Sequence, residues 1–179
     1  MANLLTDQSV RLDLSGESQQ YLTFTVLGET LGIGILDVKE IIEVGGMTRV
    51  PMTLDSVRGV INLRGNVVPV VDLSYRLGNR VATLSKRSCI VMVELFVDGD
   101  PQPMGMLVDA VNEILEIPGQ NIQNAPEFGT DIRGEFIQRM GLHNDGFIIL
   151  LNIERVMSVE ELSDTSFDSS PHQKAMVPQ

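Results

Sequence analysis

The sequence has one cysteine, no tryptophan and two histidines in 179 residues. A lone thiol, Cys89 in "SCIVMVEL", excludes an internal disulfide and fits a reducing compartment. In that apolar run it reads as a small buried residue. Metal ligation needs clustered His, Cys or carboxylate side chains. His172 stands in the polar C-terminal stretch and His143 in the turn-like "GLHNDGF", so neither a metal nor another cofactor is expected. Aromatics make up only 4% of the chain, which leaves Val, Ile and Leu to fill the interior. That favours strands over an aromatic-rich ligand pocket. Basic residues are outnumbered 13 to 24, for a formal charge of −11. An acidic surface repels phosphate backbones and anionic lipid, so nucleic acid and direct membrane insertion are not expected. No apolar run approaches the ~20 residues of a membrane-spanning helix. "MANLLTDQSVRLDLSGES" lacks the basic start, unbroken apolar core and small-residue cleavage site of a signal peptide. The chain reads as soluble and cytoplasmic.

What is present is a succession of short apolar runs. "YLTFTVL", "TLGIGI", "RGVINL", "NVVPVVDL", "SCIVMVEL", "PMGMLVDAV" and "GFIILLNI" are separated by turn chemistry such as "RGN", "VDGDP", "EIPGQN" and "HNDG". Many short strands at this spacing predict an all-β domain of barrels or sandwiches. Pro69 cannot donate to a ladder, which predicts an edge or a bulge there. Helix is minor. The S-x-x-E box at Ser158 and Glu161 predicts one short C-terminal helix, and a second short turn is expected near "PMTLDSVRG". Residues 1–19 and 163–179 are polar and read as flexible tails.

The chain also repeats itself. Gly32, Ile33, Val38, Glu40, Ile41, Glu43 and Val44 match Gly105, Met106, Val111, Glu113, Ile114, Glu116 and Ile117, every pair at one separation (113 − 40 = 73). Arg58-Gly59 is echoed by Arg133-Gly134, and "VVPVVDL" by "FIILLNI". Two copies of one unit predict two similar small barrels, about 20–85 and 86–157. Each buries too little alone, so they are expected to pack together and to exchange strands.

The chemistry of catalysis is missing. "GIGILD" lacks the third glycine and following helix of a dinucleotide loop, and no G-x-x-x-x-G-K, G-x-S-x-G or H-E-x-x-H occurs. Asp72 and Asp109 stand at strand ends, where turn or capping roles serve better than acid–base work. No convergent polar set marks a small-molecule site, and basic patches with aromatics for a nucleic-acid reader are absent. One residue stands out within "GVINLRGNVVPVVDL". Arg64 is either a solvated turn charge, with Gly65-Asn66 supplying the positive φ angles, or an interface anchor with a planar five-donor head on a rigid hairpin. Glu40 is the acidic group expected to orient it.

At these residues the sequence becomes specific. "FTVLGETLGIGILDVKEII", "RVP", "VRGVINLRGNVVPVVDL", "MGMLVDAVNEIL", "NAPEFG" and "FIILLNIERV", in that order, resemble the CheW family of chemotaxis adaptors, over about Gln20 to Leu162. The resemblance implies two linked SH3-like five-stranded β-barrels forming one CheW-like domain over residues 20–162, with no enzymatic activity. It implies a scaffold coupling the cytoplasmic tips of methyl-accepting chemotaxis proteins to a CheA-type histidine kinase, recruited to membrane-associated arrays. The alternative is an adaptor for a chemosensory pathway controlling pilus-based surface motility or another output. The implied receptor-binding residues are Val38, Glu40, Gly59, Arg64, Gly105 and Val111. The implied kinase or ring contact is Gln123, Glu127 and Phe128. Gly34 stands where many relatives carry an acid and Gln123 where they carry a base, and "VDGDPQP" is longer than the family pattern. Nothing after Leu162 is long enough to form the receiver domain fused in CheV relatives.

Overall fold

A computed structural model describes residues 18–51, 53–125 and 132–158. Within them the chain forms eleven strands. They are β1 (Gln19–Val26), β2 (Glu29–Gly34), β3 (Val38–Glu43), β4 (Val57–Leu63), β5 (Asn66–Asp72), β6 (Cys89–Val97), β7 (Asp100–Val108), β8 (Ala110–Ile117), β9 (Ile122–Gln123), β10 (Ile137–His143) and β11 (Gly146–Leu151). Two short helices, α1 (Leu73–Gly78) and α2 (Ile153–Val156), follow β5 and β11. No helix among the described residues is long and apolar enough to cross a membrane.

The strands assemble into two sheets, ordered β3-β6-β7-β5-β4 and β8-β1-β2-β11-β10-β9. The first is built from five consecutive strands, β3 to β7, with β6 and β7 lying between β3 and β5, whereas the second joins β1 and β2 to the later strands β8 to β11. The crossings are the two parallel pairs, β5 with β7 and β11 with β2. Each sheet rolls up in the SH3-like manner. Five residues beyond β3, Thr48 bridges back to Val60 of β4, and five residues beyond β8, β9 pairs with β10. The second barrel therefore carries six strands rather than five, the extra one being the two-residue β9.

Local chemistry explains the repeat. Asp72 and Asn152 stand at the ends of β5 and β11, eighty residues apart (152 − 72). Each caps the helix that follows by accepting a hydrogen bond from the backbone N–H three residues on, Tyr75 or Arg155, at 3.2 Å. The β4–β5 and β10–β11 hairpins share that offset, and each carries a bulge at its start, at Arg58 and at Gln138. The Arg133-Gly134 echo is therefore coincidental in space. Those two residues precede β10 in a 3₁₀ turn, whereas Arg58-Gly59 lie inside β4. Pro69 pairs with Val60, but β7 meets β5 only from Val70 onward, so the missing N–H faces no neighbouring strand.

One large core joins the barrels. Leu22, Phe24, Leu31 and Ile33 of the second sheet pack in the same cluster as Val71, Val91, Val93, Met104 and Met106 of the first. Smaller clusters fill each barrel separately. The helix expected from Ser158 onward falls mainly outside the described residues; the helix that is described, α2, begins five residues earlier. The turn expected near "PMTLDSVRG" is found at Asp55–Ser56. Helix α1 escaped the sequence reading because "VVDL" looks like the end of a strand.

Candidate functional site

The β4–β5 hairpin closes through a two-residue turn, and its central residues are Arg64 and Gly65, with φ of 53° and 87°. The sequence assigned the positive angles to Gly65-Asn66; the register Leu63 to Asn66 moves the turn one residue earlier. Arg64 thus occupies the left-handed region, which a non-glycine side chain disfavours. Its side chain is 70% exposed, and its two terminal nitrogens donate to the two oxygens of Glu40 at 2.8 and 2.9 Å. This two-bond match is the arrangement for which a guanidinium is suited and an ammonium is not. The bond from Arg64 holds the Glu40 carboxyl below its ordinary value, outweighing the opposing effect of desolvation, and the Arg64 charge adds in the same direction.

Glu40 reaches Arg64 because β3 is bulged between Val38 and Glu40, which sets its register on β6. A second ion pair, Lys39 to Glu94 at 3.4 Å, lies alongside. Both pairs line a cleft of about 180 Å³ whose apolar lining is Leu63, Val68, Met92, Val93 and Pro103. Such a surface offers desolvated anchoring contacts flanked by charges, the composition of a protein-binding patch.

The other expected site residues are distributed unevenly. Val38 is partly buried against the shared core, two residues from Glu40. Gly59 and Gly105 offer no surface to a partner. A Cβ on Gly59 would sit 2.7 Å from the Thr48 carbonyl oxygen, and one on Gly105 would sit 2.7 Å from Ile90 Cγ2. Both are buried; Gly59 lets the Thr48 backbone approach closely, and Gly105 makes room for the side chains of Ile90, Met92 and Val70. Val111 is elsewhere, beside Cys89 and Glu43 in a separate cleft of about 480 Å³. Gln123 is exposed on β9, paired with Met140. Glu127 and Phe128 lie outside the described residues.

Beneath the hairpin, Arg58 donates to the buried Asp72 carboxylate at 2.9 Å and to the Ala82 carbonyl at 3.0 Å. The Ala82 N–H donates to the same carboxylate. Asp72 is therefore a fully engaged structural anion. Sequence reasoning identified its capping role but missed Arg58, whose bulge position becomes visible only in the paired register. Among the described residues no group of three His, Cys, Asp or Glu is placed to hold a metal.

A double β-barrel with an exposed ion-pair clamp beside a partly apolar cleft defines a class: a small all-β module with the surface of a binding domain. The family model "CheW-like domain" matches residues 20–161, and the chain belongs to that family. It is 32% identical over 152 residues to the chemotaxis protein CheW of Klebsiella aerogenes, covering 84% of this chain and 89% of that protein. It is 27% identical to the CheW of Treponema pallidum, covering 88% and 93%. The crystal structure of the scaffolding protein CheW from Thermoanaerobacter tengcongensis superposes with a TM-score of 0.70 at 32% identity, covering 79% of this chain and 89% of that one.

Proposed function

We propose that this protein is a non-catalytic chemotaxis adaptor that couples methyl-accepting chemoreceptors to a CheA-type histidine kinase and joins them in receptor arrays at the membrane. The family membership and the CheW relatives support the adaptor role. The observation that carries the site is the Arg64–Glu40 pair: a charged clamp, locked in one geometry at a hairpin tip and set beside an apolar cleft.

In this reading Arg64, Glu40 and Val38 form the receptor-facing surface. Gly59 and Gly105 act indirectly, by keeping the first barrel tightly closed. Val111 contributes from a different cleft. The second contact, toward the kinase in the ring, falls on Gln123 with Glu127 and Phe128.

The test is reconstitution. Receptor-containing membranes and a CheA-type kinase from the same organism are assayed for kinase activation with and without this protein. The adaptor reading requires receptor-dependent activation that vanishes when the protein is omitted. Activation that proceeds equally without it, with neither partner binding, would overturn the reading. Arg64→Ala should weaken receptor binding roughly 30-fold or more, the threshold for a hot spot.

A further inference from the structure

We propose that Asn62 is a positioning residue for the Arg64–Glu40 pair: its side-chain carbonyl fixes the turn conformation from which Arg64 reaches Glu40. Asn62 Oδ1 accepts the Gly65 N–H at 2.9 Å, across the turn that contains Arg64. Asn62 is exposed and packs into no core cluster. Its carbonyl is spent on the one backbone donor that follows Arg64.

The molecule contains its own comparisons. Four two-residue turns place a non-glycine residue at positive φ in their first position, Leu27, Arg64, Asp98 and Asn144, and the last of them has Asp145 at positive φ as well. Asp98 and Asn144 are of the types that tolerate this region. Two positions before those turns stand Phe96 and Leu142, which have no side-chain acceptor. Leu27 is not of the tolerant type, but it packs against Gly78 and the shared core. Arg64 is neither tolerant nor packed, being 70% exposed. It is the turn residue that most needs an external brace, and Asn62 supplies one. The sister hairpin makes the contrast direct. Leu142 faces Phe147 where Asn62 faces Val67, and no arginine stands at its tip.

Without the brace, the turn relaxes toward conformations that swing the guanidinium away from Glu40. The loss then appears at Glu40 itself, whose carboxyl titrates low because Arg64 donates to it.

The experiment has two arms. In the first, the Glu40 side-chain carboxyl is titrated by carbon-detected NMR in the wild type, Asn62→Leu and Arg64→Ala. Leu is the natural residue of the sister hairpin, and Asn62→Ala serves as a second variant if it misfolds. The Glu40 titration should move upward in Asn62→Leu, toward its position in Arg64→Ala. An unchanged titration would overturn the proposal.

The second arm rests on the reading of Arg64 as receptor-facing. Asn62→Leu should weaken binding to a receptor cytoplasmic fragment roughly fivefold, the scale of one net hydrogen bond. It should add no loss in an Arg64→Ala background. A loss that persists there would mean that Asn62 touches the partner itself, which also overturns the proposal. If Arg64→Ala leaves binding intact, the functional reading fails, while the Glu40 titration still decides the role of Asn62.

Discussion

Arg58 and Asp72 meet at 2.9 Å beneath the β4–β5 hairpin, with the Asp72 carboxylate almost wholly buried. That carboxylate accepts from Arg58, from the Ala82 N–H and from the Tyr75 N–H, so it joins β4, the segment after α1 and α1 itself. Removing it leaves the mostly buried Arg58 guanidinium with the Ala82 carbonyl but no counter-charge, and strands two backbone donors. Asp72→Ala should therefore cost roughly 3–5 kcal/mol of folding stability. Asp72→Asn should cost less, because an amide oxygen can still cap α1. Chemical denaturation of both variants measures the difference. Equal losses would show that the neutral amide recovers nothing and that the charge of Asp72 carries the interaction.

The Arg64–Glu40 pair sets a different expectation, because it is exposed. The folded Glu40 carboxyl titrates below its ordinary value, so folding is favoured where the group is ionised. The contribution is fully present above the unfolded value, ~4.3. It is lost as pH falls through the lowered folded value. Wild type and Glu40→Gln should then differ most in melting temperature near neutral pH and converge in strong acid. The gap should also shrink in about 1 M salt, where the screening length is only ~3 Å. A gap independent of both pH and salt would mean that Glu40 acts by packing rather than by charge.

Gly105 separates surface effects from interior ones. A methyl group there would press on Ile90 Cγ2 at 2.7 Å and on Met92 Sδ and Val70 Cγ2 at 3.3 Å. Overpacking of this kind costs roughly 1–3 kcal/mol. Gly105→Ala should lower the unfolding midpoint and reduce receptor binding only as far as the barrel distorts. Arg64→Ala should do the reverse, weakening binding with little change in stability. A Gly105→Ala protein of full stability and lost binding would place Gly105 at the interface after all.

The contrast also shows what the sequence could convey. Strands and turns were legible because alternation and Gly/Asn/Asp chemistry are local. The repeat was legible where the chain preserved residue types, as at Glu40 and Glu113. Its hairpin half runs at an offset of 80 instead of 73, and the short Arg-Gly match pointed to the wrong partner. Gly59 and Gly105 entered as contact residues through the family resemblance, and sequence alone cannot distinguish a glycine that meets a partner from one that makes room for its own chain, as both do here. The placement of β1–β2 and β6–β7 depends on long-range parallel pairing, which leaves no local trace. The Arg64–Glu40 pair was foreseen from chemistry. The left-handed turn that presents it was not, because that depends on a one-residue choice of register.

Arg76 ties the two barrels together at their helices. It lies on α1, is 5% exposed, and its Nε donates to the Val156 carbonyl at the end of α2 at 2.8 Å. Its guanidinium also lies 4.7 Å from the centre of the buried Phe136 ring, near which Arg133 stands at 4.8 Å. Arg76→Leu would leave that carbonyl without its donor and lose the contact with the ring, at a cost of roughly 3 kcal/mol. Arg76→Lys should recover only part, because an ammonium cannot reach both the Val156 carbonyl and the face of the ring as a planar guanidinium does. Since one apolar cluster spans both sheets, the loss should appear as a lower midpoint of a single cooperative transition. Two separated transitions in Arg76→Leu, one for each barrel, would mean instead that Arg76 and not the shared core couples their folding.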